Sequence, residues 1–168
     1  MFVMTAAGVD SADIPQPLRA SYFHPQRVIP PAGTPDEQST ASRMTLDRFT
    51  SSGFNAIFPY FTGISGDAYY SSSIHATRVY GERDPLGELI QEARTRNIQV
   101  YPVICVTVCG NENPTGILKE HPDWALRHPD GTPLGYISPA HPKARQWLAS
   151  VADEIVRKYQ PDGIMLDY

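Results

Sequence analysis

The segment DGIMLDY, residues 162–168, sets an apolar run between two carboxylates. Its second acid is the most chemically pointed residue in the chain. Side chains alternate along an extended segment, so Gly163, Met165 and Asp167 share one face and Ile164, Leu166 and Tyr168 the other. A carboxylate at the carboxyl end of a buried strand sits in the cleft where sugars, phosphates or carbonyl substrates bind. The plainer reading is a solvated strand-end Asp, or one that caps a following turn. Asp162 is not the partner of Asp167. Five residues at ~3.3 Å each place the two acids ~16 Å apart, on opposite faces. Carboxyl pairs that cleave glycosidic bonds stand ~5–5.5 Å or ~6.5–9.5 Å apart. Asp162 is expected to shape the turn into the strand. A second carboxyl must come from a long loop or from chain outside this sequence.

Other residues could line the same site. GDAYYSSS offers Asp67, Tyr69 and Tyr70: aromatic rings stack on the apolar faces of sugars, and Asp or Ser binds hydroxyls. The plainer reading is a loop packing on its own tyrosines. Trp124 in HPDW is a sugar platform or, more plainly, a loop anchor. His24 and Tyr60 fall just after or near the ends of the first two strands, where such side chains either line a rim or only bond a neighbouring loop. Asn111 and Glu112 follow the third strand, and Glu112 is the nearby carboxyl whose reach suits a second role. Trp147 is expected in the core. Cys105 and Cys109 read as small apolar fillers, since four residues of extended chain hold thiols too far apart for a disulfide. GISGDA lacks the glycine spacing and the Lys of a phosphate loop, and no HExxH or His/Cys cluster suggests a metal, so no cofactor is inferred.

These residues need elements to hold them. LRASYF (18–23) is a short strand candidate. Residues 38–52 read as a helix that Gly53 terminates. FNAIFPYF (54–61) is a continuous apolar run and a strand. Asp84-Pro85 opens a second helix, with Asp as cap and Pro at the first helical position. Its Leu86, Leu89, Ile90 and Ala93 form one apolar stripe, and Asn97 ends it. IQVYPVICV (98–106) is the third strand. After His141-Pro142 a third helix carries Ala144, Trp147, Leu148, Val151, Ile155 and Tyr159 on one face. Pro161 ends it and the fourth strand follows. Apolar strands without polar alternation imply a parallel sheet covered on both faces. Links from helix to strand are short, while those from strand to helix are long, at about 62–83 and 107–140. That asymmetry puts a binding site at the carboxyl ends of the strands, in a half-barrel or in a small open sheet.

Composition narrows the rest. The chain has 168 residues, 41% hydrophobic and 19% charged, which is globular. The net charge of −4 is spread with no basic block, which argues against nucleic acid and anionic membranes as partners. No apolar run approaches the ~20 residues of a membrane span. Residues 1–17 read as a poorly ordered extension without the basic flank of a signal peptide.

GDAYYSS, DPLGELIQEARTRNIQVYPV, HPDW, the DG–ISPAHPKARQWL stretch and IVRKYQPDGIMLDY, taken in order, resemble the bacterial glycosyl hydrolase-like family ten, over roughly residues 40–168. The resemblance implies a (β/α)₈ TIM barrel presumed to cleave glycans, of which residues 18–168 would be the amino-terminal half. That half holds four parallel strands and three helices, cut after strand four. It further implies that Asp167 is the nucleophile, or the stabiliser of an oxocarbenium-like transition state, acting on a polysaccharide or cell-wall glycan. The acid/base would lie on a later strand, and the fragment alone would be inactive. The missing carboxyl-terminal half of the barrel would be its own partner, and strand four would expose an unpaired edge. Met165 stands where the α-amylase type of barrel usually has Arg, so likeness to that clan is general. The family is largely exported. Two other readings remain: a non-catalytic carbohydrate-binding barrel, and a complete four-stranded α/β domain for another small ligand.

Overall fold

A computed structural model describes residues 3–4 and 17–168. The expected disorder of 1–17 falls almost wholly outside these residues. Strand β1 (Val3–Met4) lies on the outer edge of the last strand, antiparallel, with Val3 opposite Met165 and Met4 opposite Ile164. The edge expected to be unpaired is therefore partly covered, because its free N–H and C=O groups accept any extended segment that reaches them.

The parallel strands run β2 (Ala20–Phe23), β3 (Ala56–Pro59), then β4 (Gln99–Val100) with β5 (Val103–Cys105), then β9 (Ile164–Asp167). Each was expected from its apolar run, with longer bounds. The third strand is interrupted at Tyr101-Pro102, because proline has no N–H for the ladder. Pairing resumes at Val103, whose carbonyl accepts from Phe61 N at 2.8 Å.

The one-turn helix α1 (Pro25–Val28) follows β2 and was not foreseen. Helix α2 (Pro35–Ser51) starts three residues earlier than expected. Thr34 and Glu37 form a reciprocal capping box and Pro35 takes the first helical position, a signal overlooked within a proline-rich stretch. Gly53 ends this segment at φ +76°, a left-handed conformation that disfavours other residues. Helix α3 (Pro85–Thr95) is capped by Asp84, and Asn97 leaves it at φ +55°. Helix α5 (Pro142–Tyr159) closes on left-handed Gln160, and Arg94 Nη2 donates to the carbonyls of Tyr159 and Gln160. Asp162 performs the turn role read from its position, accepting from Val100 N at 2.8 Å.

The helices cover one face of the sheet. Ile57, Phe61, Ile104 and Ile164 pack there with Leu46, Leu89, Ile90, Val151, Ile155 and Tyr159. The opposite face carries Ala56, Phe58, Tyr101, Val103 and Met165, with Ala20 and Tyr60 against them. Trp147 is half-buried and packs against two clusters.

Residues 107–140 are more ordered than the expected loop. They form β6 (Val108–Asn111), α4 (Ile117–Glu120), a 3₁₀ turn at Pro122–Trp124, β7 (Ala125–Arg127) and β8 (Pro133–Ile137), with the strands in an antiparallel sheet ordered β6-β8-β7. Cys109, Leu118, Trp124, Ala125, Ile137 and Ala144 fill a separate small core. The strands are too short and too interrupted by Gly and Pro to have stood out as periodic runs.

Loop 62–83 is fastened from below. Glu154 of α5 accepts from Ser73 N at 2.6 Å, Ser73 Oγ at 2.5 Å, Ser72 Oγ at 2.7 Å and Tyr70 Oη at 2.8 Å. His75, 8% exposed, sets Nδ1 3.1 Å from Ser72 Oγ and turns its ring edge-on to Trp147 and Tyr70. Burial pulls its pKa down to about 4, against the opposing charge of Glu154. A depressed folded pKa means the stabilisation is complete above the ordinary value of 6.5 and is lost as pH falls through about 4. The urea midpoint is expected to fall between pH 6.5 and 4, and His75→Gln to flatten that part of the profile. Identical profiles for the two proteins would show that His75 does not carry the effect.

Candidate functional site

The site gathers at the carboxyl ends of the parallel strands. Asp167 ends β9 on the face away from the helices, directly opposite Cys105 of β5 in the parallel register. Tyr60, one residue past β3, donates its hydroxyl to Asp167 Oδ2 at 2.8 Å. The backbone N–H of Tyr168 donates to Oδ1 at 3.0 Å. Both carboxylate oxygens are thus held in place by hydrogen-bond donors. Burial, this hydrogen bond and the Asp167 charge push the Tyr60 phenol well up, so it stays protonated and keeps donating. Its ring lies flat against His24, centroids 4.4 Å apart and planes 6° off parallel. Burial, with the nearby Arg27 charge, lowers the His24 pKa and keeps the imidazole neutral at pH 7.

A cleft of about 210 Å³ adjoins this group, lined by His24, Gln26, Tyr60, Gly63, Tyr69 and Tyr168 among others. Cys105 also lines it, 8% exposed, its thiol donating to the Thr62 carbonyl at 3.3 Å. Burial and the Asp167 charge push this thiol up to about 11, so it is not a nucleophile at neutral pH. Both cysteines are free, and both are buried fillers as read from sequence.

Of the residues expected here, His24, Tyr60 and Tyr69 line the cleft, and Asp167 is bonded to Tyr60 on its wall. Tyr70 does not: it is 1% exposed and stacks on Phe61 in the helix-side core. Neighbours in an extended segment face opposite ways, so the loop that sends Tyr69 to the cleft sends Tyr70 inward. Trp124, 4% exposed, is stacked on His121 at 4.1 Å within the small side core, and is an anchor rather than a platform. Asp67 is half-buried and off the cleft wall, its carboxyl pushed up by burial against the charge of Lys119. Asn111 is exposed on β6, where its Oδ1 accepts from Tyr136 Oη at 3.1 Å. Glu112 is exposed beside it and does not reach the cleft, so it supplies no second carboxyl there. The side sheet moves this pair away from the rim, and nothing in their sequence spacing signalled it. Gln26 and Gly63 were missed. The clue to Gln26 was its place two residues after the strand-end His24. Among the described residues no three His, Cys, Asp or Glu side chains cluster as a metal site. Among the described residues no helix is long and apolar enough to cross a membrane.

A carboxylate at the carboxyl end of a parallel strand, beside a cleft, stands where parallel α/β enzymes place their chemistry. The sequence pattern of the glycosyl hydrolase-like 10 family matches residues 7–168. The chain belongs to that family. Two curated relatives are glycosyl hydrolase YngK of Bacillus subtilis and glycosyl hydrolase DigH of Escherichia coli K12. YngK is 28% identical over 146 residues, covering 78% of this chain and 28% of YngK. DigH is 27% identical over 145 residues, covering 73% of this chain and 32% of DigH. The glycosyl hydrolase-like 10 chain thus spans about three tenths of the length of these relatives. In fold it is similar to the maltogenic α-amylase AmyB of Thermotoga neapolitana, at a TM-score of 0.61 and 16% identity, over 90% of this chain and 39% of AmyB. It is also similar in fold to an α-fucosidase of Thermotoga maritima, at a TM-score of 0.55 and 16% identity, over 75% of this chain and 28% of the fucosidase.

Proposed function

We propose that residues 18–168 are the amino-terminal portion of a (β/α)₈ barrel that hydrolyses glycosidic bonds in a polysaccharide or cell-wall glycan, with Asp167 as its central carboxylate. The observation that carries this reading is the Tyr60–Asp167 pair, held by a 2.8 Å bond at the carboxyl ends of parallel strands. In such a barrel the carboxylate attacks the anomeric carbon or stabilises its positive charge as the glycosidic bond breaks. Tyr60 holds Oδ2 in place, so the attacking oxygen is aimed before substrate arrives. A later strand supplies the acid/base, and those strands are the chain's partner. The family membership and the share of its relatives' length that the chain spans both support this.

The test is release of new reducing ends from bacterial polysaccharides by the full-length protein, wild type against Asp167→Asn. Glycan binding without turnover by the wild type would assign a carbohydrate-binding barrel instead. Tyr60→Phe keeps the stack on His24 and removes only the hydroxyl. A hydrogen bond to a charged group contributes about 1.5–3 kcal/mol, so turnover is expected to fall by roughly 10- to 100-fold at unchanged fold. Unaltered kcat in this variant would take Tyr60 out of the site.

A further inference from the structure

The Gln26 side chain is held on one of its two polar ends. Its Nε2 donates to Tyr69 Oη at 3.0 Å, while Oε1 is buried and has no hydrogen-bond partner among the described residues. Reversing the amide would exchange the two ends and leave the nitrogen unpaired instead. A buried amide end left in this way is destabilising unless something satisfies it.

The surroundings keep it there. Gln26 sits in α1 between buried Pro25 and fully buried Ile29. Ile29 N donates to the Pro25 carbonyl at 2.7 Å, and the Ile29 carbonyl accepts from Tyr80 Oη at 3.0 Å. Tyr69 is placed by its N–H, which donates to the Phe61 carbonyl at 2.9 Å. Its hydroxyl lies over Gly63, where a Cβ would stand 2.4 Å from Oη. Only glycine at position 63 leaves room for the phenol that tethers Gln26. Gln26, Gly63 and Tyr69 all line the cleft beside Tyr60 and Cys105, the two residues in contact or in register with Asp167.

We infer that the Gln26 amide, tethered by Tyr69, recognises a hydroxyl of the sugar unit seated beside Asp167 and sets which sugar the cleft accepts. A hydroxyl both donates and accepts, so it satisfies whichever amide end is free. Carbohydrates carry such groups around the whole ring. A site built to bond a hydroxyl discriminates strongly against the analogue lacking it, because the protein's own polar atom is then left unpaired. The inference rests on the glycan reading above.

The test titrates the full-length protein with chitohexaose, maltohexaose, cellohexaose and xylohexaose by calorimetry, alongside Gln26→Met, Tyr69→Phe and Asp167→Asn. The wild type is expected to bind at least one hexasaccharide. Gln26→Met, which keeps side-chain length and removes both polar ends, should weaken that binding by roughly tenfold. Tyr69→Phe should weaken it in the same direction, and Asp167→Asn should still bind. A thermal midpoint within a few degrees of wild type certifies each fold, and Tyr69→Phe carries the test if Gln26→Met does not fold. Unchanged affinity in the folded variants overturns the inference and leaves the glycan reading standing. Failure of the wild type to bind any of the four overturns both.

Discussion

Asp167→Asn is expected to lower glycan turnover by about 10³-fold or more, the upper scale for removing one electrostatic partner of a transition state. The substitution keeps the shape and nearly the volume of the side chain. Its amide oxygen still accepts one of the two hydrogen bonds now made by Tyr60 Oη and Tyr168 N. Its Nδ2 faces the Tyr60 hydroxyl, which turns to accept because a hydroxyl both donates and accepts, so only the charge assistance is lost, about 1 kcal/mol in stability. Folding therefore survives while the negative charge does not. Without it the nearby oxygen neither attacks nor offsets a cationic sugar. The measurement is kcat on whichever glycan the wild type cleaves, with the urea midpoint as the control on folding. Turnover within a few-fold of wild type would remove Asp167 from the chemistry.

The largest stability effect is expected at Tyr159. Its ring packs edge-on to Phe61 at 5.4 Å and to Tyr70 at 5.9 Å, and it is 6% exposed. Its hydroxyl donates to the Asp84 carboxylate at 2.9–3.0 Å, and Asp84 caps α3. One side chain thus links α5, the loop above the sheet and the start of α3. Removing an aromatic ring from such a position costs about 3–5 kcal/mol. Tyr159→Ala should show that loss in chemical denaturation, while Tyr159→Phe should lose only the hydroxyl's bond to a charged group, about 1.5–3 kcal/mol. A Tyr159→Ala loss below 1 kcal/mol would show that the two helices are not joined through this ring.

The parallel scaffold was legible because its strands are unbroken apolar runs and two of its helices carry plain stop or cap signals at Gly53 and Asp84. Asp167 was legible for the same reason: alternation from Met165 fixes its face once the strand is known. What the sequence concealed was set by long-range packing. Tyr69 and Tyr70 are the same residue type in one loop, and only the bonds from Phe61 and Glu154 decide which of them faces the cleft. Trp124, Asn111 and Glu112 are governed by the side sheet, whose short strands leave no periodic trace. Gln26 gave no signal because a one-turn helix is below the length at which periodicity speaks.

That side sheet also bears on how relatives diverge. It has its own core, and backbone bonds from Gly110 N to the Ile64 carbonyl and from Ile137 N to the Thr107 carbonyl tie it to the rest. Ile64 belongs to the cleft wall. Mutations in the appendage can therefore accumulate and alter the entrance without disturbing the four strands beneath, while the tight turns at Gly53 and Asn97 tolerate no such drift. Changes within residues 108–137 would thus reach the cleft first through Ile64.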